Sequence, residues 1–354
     1  MSTHNVPPSL PIPAEGKSGW PWNTPGGNVV RTEKAHDVIY PRISIVTPSY
    51  NQGQFIEETI RSVLLQGYPN LEYIVIDGQS SDCTLDILRR YQKHFSFWIS
   101  EPDNGPADAI RKGWKRATGE IIAYLNSDDA YLPGTLFTVA RAFREFPETA
   151  MLCGNELHID EAGYVLKQST ITDVTYTSLL ELQFIPQPSI FVKREVLTQV
   201  GGIDPAIRYV FDFELWLRIA RALSVHCIPD VLSVTRWHES TITLKHRPNI
   251  GEELVDVIMR EMRLNPCRLA RIERRGFIYQ VHRLAMILHL DRHHAFQAAR
   301  HALWAIALCP DIYSGKKIVR KYFKKLRRPM NQMNQLSQTP GDAIHWSHFH
   351  NSAL

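Results

Sequence analysis

The stretch EIIAYLNSDDAYLPG, residues 120–134, joins a strand-like run directly to two neighbouring acids. The apolar run at 121–125 is followed without a spacer by Asn126, Ser127, Asp128 and Asp129. Adjacent carboxylates repel each other, so such a pair at the end of a strand indicates a positive partner, for example a divalent cation. The stretch therefore predicts a buried strand that ends at a functional edge.

Strand-like and helix-like segments alternate before this stretch. Short β-branched runs predict strands at 43–50, 71–78, 95–100 and 120–125, and a helical period predicts helices between them, at 54–67, 82–94 and 107–117. This alternation is typical of an α/β fold with a mostly parallel twisted sheet and helices on both faces. After residue 134 the pattern becomes a mixture of strands and helices.

The chain divides into four parts by composition. Residues 1–40 are rich in Pro and Gly and predict an extended arm, whereas 41–245 hold the main α/β domain. Residues 246–330 predict a helical basic extension, and the polar residues 331–354 predict a disordered tail. Histidines within HWSHFH of that tail leave transition-metal binding open as the alternative.

Basic residues are concentrated in the extension. Between Arg260 and Arg328 there are 17 Lys and Arg against 4 Asp and Glu, a net +13, so the rest of the chain carries −9 of the total +4. Within it, residues 316–328 place an apolar stripe among eight basic side chains and no acid. Such a helix binds an anionic membrane surface or packs on the protein with its basic face solvated, and both interpretations stay open.

The expected location is the cytoplasm. No run of about 18 apolar residues is present, and the first residues lack an apolar signal core. The five cysteines are widely spaced, with no CxxC pair, which favours a reducing compartment. Membrane contact through 316–328 would make the protein peripheral at the inner face of the membrane.

Polar and acidic residues follow four consecutive predicted strands. In open parallel sheets ligands bind beyond the carboxyl ends of the strands, where Asp77, Asp103 and Asp128 would lie. Any one of these acids alone is explained as well by a helix cap or a turn. The set as a whole favours Mg²⁺ or Mn²⁺ bridging carboxylates to a diphosphate. The glycine-rich loops of P-loop and dinucleotide-binding proteins are absent.

Several segments together resemble the family 2 inverting glycosyltransferases of the GT-A fold. The resemblance covers about residues 41–245 and rests on the following segments: ISIVTPSYNQGQFIEETIRSVLLQGYPNLEYIVIDGQSSDCT, WISEPDNGPADAIRKG, GEIIAYLNSDDAYLPG, QPSIFVKREVL, GGID, FDFELWLRIA and RWHESTIT. It implies a nucleotide-sugar donor, a divalent cation (Mn²⁺ or Mg²⁺) and a glycan or lipid-linked acceptor. No nucleic-acid partner is expected.

The resemblance also implies roles for individual residues. Asp212 matches the catalytic base, and Asp128 and His238 match the metal ligands. Gln187 borders the acceptor side. Donor contacts are implied for Thr47, Pro48, Tyr50, Asp77, Asp108, Arg111, Asn126, Ser127, Asp128 and Arg236. The chain departs from the family pattern at Asn126, where many members have Asp, and at Arg111, where many have Asn.

The reaction implied is a single displacement that inverts the anomeric carbon. Asp212 would take a proton from the acceptor hydroxyl, with Glu214 as the neighbouring acid that the sequence cannot tell apart from it. A nucleotidyltransferase is a second enzyme class that uses a parallel sheet and metal-binding acids. A non-catalytic nucleotide- or glycan-binding relative is the third alternative, because Asn126 replaces an acid.

Overall fold

The structure is a computed structural model that describes residues 10–13, 16–22, 39–264, 271–292, 294–308 and 345–348. The strands in this part are β1 (Ile43–Ser49), β2 (Leu71–Asp77), β3 (Phe97–Ser100), β4 (Ile121–Tyr124), β5 (Ala130–Tyr131), β6 (Met151–Asp160), β7 (Val165–Ser169), β8 (Ile190–Lys193) and β9 (Val225–Trp237). The helices are α1 (Ile56–Leu64), α2 (Thr84–Tyr91), α3 (Pro106–Arg116), α4 (Thr135–Glu145), α5 (Tyr176–Leu180), α6 (Arg194–Val200), α7 (Phe211–Ala222), α8 (Ile242–Lys245), α9 (Arg247–Leu264), α10 (Arg271–Leu290) and α11 (Ala295–Leu308).

One sheet runs through the described part of the chain. Its strand order is β3-β2-β1-β4-β8-β6-β9-β5, with β7 paired to β6. The predicted parallel pairing holds for β2 with β3, β1 with β2 and β1 with β4. The α/β fold class is thus confirmed.

Beyond β4 the sheet is mixed rather than mostly parallel. β8 runs antiparallel to both β4 and β6, and β5 runs antiparallel to β9, whereas β6 and β9 are parallel. Gly163, at φ 96°, turns β6 directly back into β7. A tight turn of this kind needs no crossover helix, so the antiparallel half lacks the alternation that the first half shows in sequence.

Hydrophobic clusters cover both faces of the sheet. Ile43 and Ile45 of β1 belong to the cluster beneath α1, α2 and α4, while Val46 belongs to the cluster under α3 and α7. Successive side chains of a strand point to opposite faces, and both faces are covered here, so β1 is buried along its whole length.

The extension after residue 246 is helical, as predicted. α10 packs against both α9 and α11, and the junction between α10 and α11 lies near Asp291. None of the helices in the described ranges is both long and apolar enough to cross a membrane. The segment 316–328 lies outside the described residues, and the division into four parts stays a prediction.

Both ends of the chain contribute to the body. Trp20, which is 3% exposed, donates through Nε1 to the Tyr131 carbonyl oxygen at 2.9 Å, so part of the predicted N-terminal arm is docked. Trp346 is 1% exposed and begins a short 3₁₀ turn. Residues 345–348 of the tail are thus packed on the body, because an aromatic side chain gains more from this burial than a polar tail composition suggests, and the disordered tail at 331–354 stays a prediction.

Candidate active site

The register of the sheet brings three strand ends together. Ser49 at the end of β1 pairs with Asp77 at the end of β2. On the other side of β1, Val46 pairs with Tyr124, and the Leu125 amide donates to the Val46 carbonyl oxygen at 2.9 Å. The residues that follow β1, β2 and β4 consequently line one edge of the sheet.

Asp128 and His238 meet at this edge. The distance from Asp128 Oδ2 to His238 Nε2 is 3.0 Å, and the other ring nitrogen of His238 lies 2.7 Å from Ser240 Oγ. The imidazole packs against the Phe55 ring at a centroid distance of 4.7 Å. Asp128 follows β4 and His238 follows β9, so a residue pair that lies 110 positions apart in sequence is joined by the fold.

Asp129 faces inwards and fixes the acid loop, residues 126–129 after β4. Its Oδ1 accepts from the Arg236 amide at 3.0 Å, and its Oδ2 accepts from Asn126 Nδ2 at 3.2 Å. Burial, and after it the charge of Asp128, raises the pKa of Asp129 well above that of an ordinary carboxyl. This residue supports Asp128 and does not face the solvent.

The Arg236 guanidinium is committed to protein groups. It donates to Glu58 Oε1 at 2.8 Å, to the Glu161 carbonyl oxygen at 3.1 Å and to the Asp128 carbonyl oxygen at 3.2 Å. The side chain is 4% exposed. In this arrangement the residue joins α1, the acid loop and the turn after β6, and the donor contact expected for Arg236 stays a prediction.

A hydrogen bond joins the side chains of Asn126 and Gln187 beyond the end of β4. Asn126 Nδ2 donates to Gln187 Oε1 at 3.0 Å, and Gln187 Nε2 donates to the Tyr124 carbonyl oxygen at 3.0 Å. Gln187 was expected on the acceptor side, and its contacts bring it to the acid loop. An Asp at position 126 would add a third carboxylate here, so the amide lowers the repulsion beside Asp129.

Asp212 and Glu214 separate clearly in the structure. Asp212, in the first turn of α7, is only partly buried and approaches the Tyr124 hydroxyl at 3.5 Å. Burial raises its pKa, against the opposing hydrogen bonds from the Phe213 amide and from Tyr124. Glu214 is 4% exposed and is paired with Arg218 at 2.7 Å and with Arg260 at 2.6 Å. Glu214 therefore holds α7 in place, and Asp212 is the less buried of the two acids.

Asp77 is fully enclosed. Its Oδ1 accepts from Ser80 Oγ at 2.5 Å, and its Oδ2 accepts from the Ser80 amide at 2.9 Å and from Ser100 Oγ at 2.6 Å. It has no exposed surface. In this arrangement Asp77 shapes the turn after β2, in which Gln79 has a φ of 64°, and does not present a free carboxylate.

Thr47 points away from the edge. It shares the strand face of Ile43 and Ile45, and its hydroxyl lies 3.1 Å from the Tyr73 hydroxyl inside the core. The expected donor contact of Thr47 stays a prediction. Pro48 and Ser127 are buried at the strand ends, whereas Tyr50 is 63% exposed beside them.

Asp108 and Arg111 lie in the first half of α3, after the end of β3. Arg111 Nη2 is 3.9 Å from Asp108 Oδ1, and Lys112 is paired with Glu101 at 2.9 Å. These side chains form a partly exposed rim of mixed charge. Their expected contact with a diphosphate stays a prediction.

The resemblance assigns no role to Asp103, but the carboxylate of this residue lies against Gly78 in the turn after β2. A Cβ at Gly78 would come within 2.7 Å of Asp103 Oδ2, so any larger residue there would displace this carboxylate. Burial raises the pKa of Asp103, with smaller contributions from the charges of Asp108 and Asp77. The sequence signal for Asp103 is its position shortly after the end of β3. Tyr124 was also missed, because it reads as an ordinary core residue of a strand.

Comparison with known proteins identifies the family. The sequence model of the family "Glycosyl transferase family 2" matches residues 44–201 of this chain. The putative teichuronic acid biosynthesis glycosyltransferase TuaG of Bacillus subtilis is 32% identical over 186 residues, which are 51% of this chain and 73% of TuaG. An uncharacterized glycosyltransferase of Rickettsia typhi is 27% identical over 213 residues, 57% of this chain and 66% of that relative. The chain covers 36% of a further relative, from Rickettsia felis.

Solved structures show the same fold. Residues 1–349 of S. aureus TarS superpose with a TM-score of 0.56 at 15% identity, covering 83% of this chain and 92% of that one. Mannosyltransferase PcManGT from Pyrobaculum calidifontis, solved with GDP-Man and Mn²⁺, superposes with a TM-score of 0.52 at 19% identity. The superposition covers 84% of this chain and 83% of PcManGT. The likeness extends from the mixed sheet into the C-terminal helices. The chain belongs to glycosyl transferase family 2 and is a transferase with a GT-A-like α/β fold.

Proposed function

We propose that this enzyme transfers a sugar from a nucleotide-diphosphate sugar to a hydroxyl group of a glycan or lipid-linked acceptor, with inversion at the anomeric carbon. The observation that carries the proposal is the arrangement around Tyr124. Its hydroxyl approaches Asp212, and its carbonyl oxygen is bonded by the Gln187 amide that also holds Asn126. The proposed base, Asp212, and the proposed cation-binding loop after β4 therefore lie next to the same residue, Tyr124.

Asp128 and His238 suit a divalent cation. Their facing atoms are 3.0 Å apart, and the side chains are 15% and 3% exposed, so a carboxylate oxygen and an imidazole nitrogen converge in a largely enclosed place. Mn²⁺ accepts this pair of ligands, and Mg²⁺ accepts the carboxylate. A cation held there would supply positive charge beside the departing diphosphate.

Asp212 carries the proposed proton transfer. The acceptor oxygen attacks the anomeric carbon, its proton moves to the Asp212 carboxylate, and the bond from that carbon to the diphosphate oxygen breaks with the electron pair leaving on the diphosphate. The raised pKa of Asp212 brings this carboxylate closer to the basicity that general-base catalysis at neutral pH needs.

The donor is proposed to lie against the ends of β1, β2 and β4. Tyr50 is the exposed aromatic side chain there, and Asp103 lies over the turn after β2. Among the similar structures, TarS was solved in complex with UDP-GlcNAc and PcManGT with GDP-Man. Both uridine and guanosine diphosphate sugars are therefore the donors to test first.

The decisive experiment measures nucleoside diphosphate release and donor binding with Mn²⁺ or Mg²⁺ present. We expect Asp128→Ala to weaken metal-supported donor binding. We expect Asp212→Asn to keep donor binding and to lose at least about 100-fold in turnover, in line with the contribution of a general base. Glu214→Gln is the matched carboxyl-to-amide control, whose folded fraction should keep turnover. Equal turnover of the wild type and Asp212→Asn contradicts the proposal.

The same panel tests a binding-only protein. The wild type would then bind the nucleotide sugar without releasing a nucleoside diphosphate, whatever acceptor is supplied. Asn126→Asp restores the acid that many family members have at this position. A gain of turnover only in that variant would favour the binding-only alternative.

A further inference from the structure

A second group of metal-ligating side chains lies in the helical extension. Glu252 is on α9, His289 is near the end of α10, and His301 is in α11. Glu252 Oε1 lies 2.9 Å from His289 Nε2 and 3.1 Å from His301 Nε2. Among the residues that the structure describes, this is the one group of three or more His, Cys, Asp or Glu side chains whose ligand atoms converge closely enough to hold an ion.

The two imidazoles are enclosed. The side chains of His289 and His301 are 4% and 2% exposed, and their rings stack at a centroid distance of 5.5 Å. Glu252 is 35% exposed. The group is therefore closed on the histidine side and open to the solvent at the carboxylate.

A further histidine supports His301 from behind. His282 Nδ1 lies 2.9 Å from His301 Nδ1, and the His282 ring stacks on Trp304 with an interplanar angle of 7°. Metal-bound imidazoles in proteins usually donate their second ring N–H to an acceptor, which fixes the tautomer. His282 can accept that bond through Nδ1 when its own proton is on Nε2.

We propose that Glu252, His289 and His301 form a binding site for a transition-metal ion of the Zn²⁺ class, which joins α9, α10 and α11. Zn²⁺ binds imidazole nitrogen and carboxylate oxygen at about 2.0–2.2 Å, so neighbouring ligand atoms of a tetrahedral site lie about 3.3 Å apart. The observed separations fall just short of this value. Binding needs only a small outward shift of side chains that already face one another.

The fourth position is open to water, which reaches the site at the partly exposed carboxylate. His294, in the turn between α10 and α11, has its Nδ1 3.5 Å from His289 Nδ1, the ring nitrogen that does not face Glu252. The two nitrogen ligands distinguish this site from the one at Asp128, which has one, and they favour Zn²⁺ over Mg²⁺.

Arg300 forms an ion pair with the Glu252 carboxylate in this structure. Its Nη2 lies 2.5 and 2.6 Å from the two oxygens of Glu252, and the side chain is 52% exposed. A guanidinium at this distance repels a divalent cation and competes for the same oxygens. Because Arg300 is half exposed, it can turn into the solvent when a metal binds. Removing it should therefore tighten metal binding.

The test is Co²⁺ binding to the metal-stripped full chain, followed by the visible absorption of four-coordinate Co²⁺ and by competition with Zn²⁺. Every protein carries Asp128→Asn, which removes a ligand of the other candidate site. We expect one equivalent of Co²⁺ in this background and its loss on adding His301→Gln or His289→Gln. His282→Leu should weaken binding about 10- to 100-fold, as for other supporting partners of metal ligands.

Control variants show whether Co²⁺ binds at this site or at other histidines. Replacing His345, His348 and His350 together by Gln should leave the equivalent of Co²⁺ in place. Arg300→Ala, at a surface position that the fold tolerates, should tighten binding several-fold, and it keeps the test valid if a histidine variant unfolds. The proposal is overturned if the background protein binds no Co²⁺, if binding survives both histidine variants, or if Arg300→Ala leaves the affinity unchanged or lower.

Discussion

At the scale of single residues, neighbouring acids have different roles because their surroundings differ. Asp212 and Glu214 both lie in the first turn of α7. Two arginines neutralise the buried Glu214, whereas Asp212 faces Tyr124 and is only partly buried. The sequence offers one spacing signal, Arg218 four residues after Glu214 in the same helix, whereas the second ion pair, with Arg260, forms only when α9 packs on α7.

The first prediction concerns the pH dependence of turnover. A raised pKa keeps Asp212 protonated up to a higher pH than the usual value of about 3.9, so base catalysis should fail on acidification sooner than with an ordinary Asp. The Tyr124 hydroxyl lowers this pKa. Tyr124→Phe should therefore move the acidic limb of kcat/KM to still higher pH.

A pH–rate profile of both proteins measures this shift. Tyr164→Phe is the control, because that exposed ring packs against His345 and not against Asp212. Its acidic limb should coincide with that of the wild type. An unshifted limb in Tyr124→Phe would mean that the observed titration belongs to another group.

The site residues show which inferences a sequence supports. Asp128 and His238 do meet, as the resemblance implies. The alternation along β1 already indicates that Thr47 shares the face of Ile43 and Ile45, so its inward position was predictable by that rule. The many backbone partners of Arg236 were not predictable, because they come from segments distant in sequence.

At the scale of elements, a close contact joins α3 to β1. A Cβ at Gly113 would lie 2.4 Å from Val46 Cγ1 and 2.9 Å from Val46 Cγ2. Since Val46 is a β-branched residue in the middle of the sheet, it cannot turn away cheaply. The glycine thus lets α3, with Asp108 and Arg111, lie directly on the sheet.

The second prediction compares two helical glycines. Gly113→Ala should lower the free energy of unfolding by about 1–3 kcal/mol through overpacking and should weaken donor binding, because α3 must move. Gly276 lies in α10, and no atom is within 4 Å of an added Cβ. Gly276→Ala should therefore raise the free energy of unfolding by about 0.5–1 kcal/mol. Denaturant unfolding of both variants measures the difference. Equal effects would show that α3 accommodates the methyl group.

Elements differ in how well the sequence predicts them. The β-α-β rhythm predicts the parallel half because each crossover helix needs a long apolar face. β5 has two residues and depends on pairing with β9, so no local pattern marks it. The group of Glu252, His289 and His301 was missed for a related reason. Each residue is a lone polar side chain on a helix, and only helix packing brings the three together.

At the scale of the whole molecule, the two ends of the chain share one hydrophobic cluster. Trp20 and Trp346 pack with residues of β5, β6 and β9. A Cβ at Gly19 would lie 2.6 Å from Ser347 Oγ, so the two segments also contact each other. Arg61 secures the N-terminal segment by donating to the carbonyl oxygens of Pro11, Pro21 and Trp22.

The third prediction tests this contribution of the C-terminal residues. Trp346→Ala should lower the free energy of unfolding by about 3 kcal/mol, because a fully buried indole is removed from the cluster. Phe296→Ala removes a ring that is 81% exposed and should change it by less than about 0.5 kcal/mol. Equal unfolding curves for the two variants would show that residues 345–348 add no stability.

The shared cluster also gives the protein a built-in optical label. Trp20 and Trp346 lie at 3% and 1% exposure, so release of either end would carry an indole from an apolar environment into water. Its fluorescence would shift to longer wavelength and become accessible to a soluble quencher such as iodide. Comparing Trp20→Phe with Trp346→Phe would assign the signal to one end, so detachment could be followed during turnover without attaching a dye.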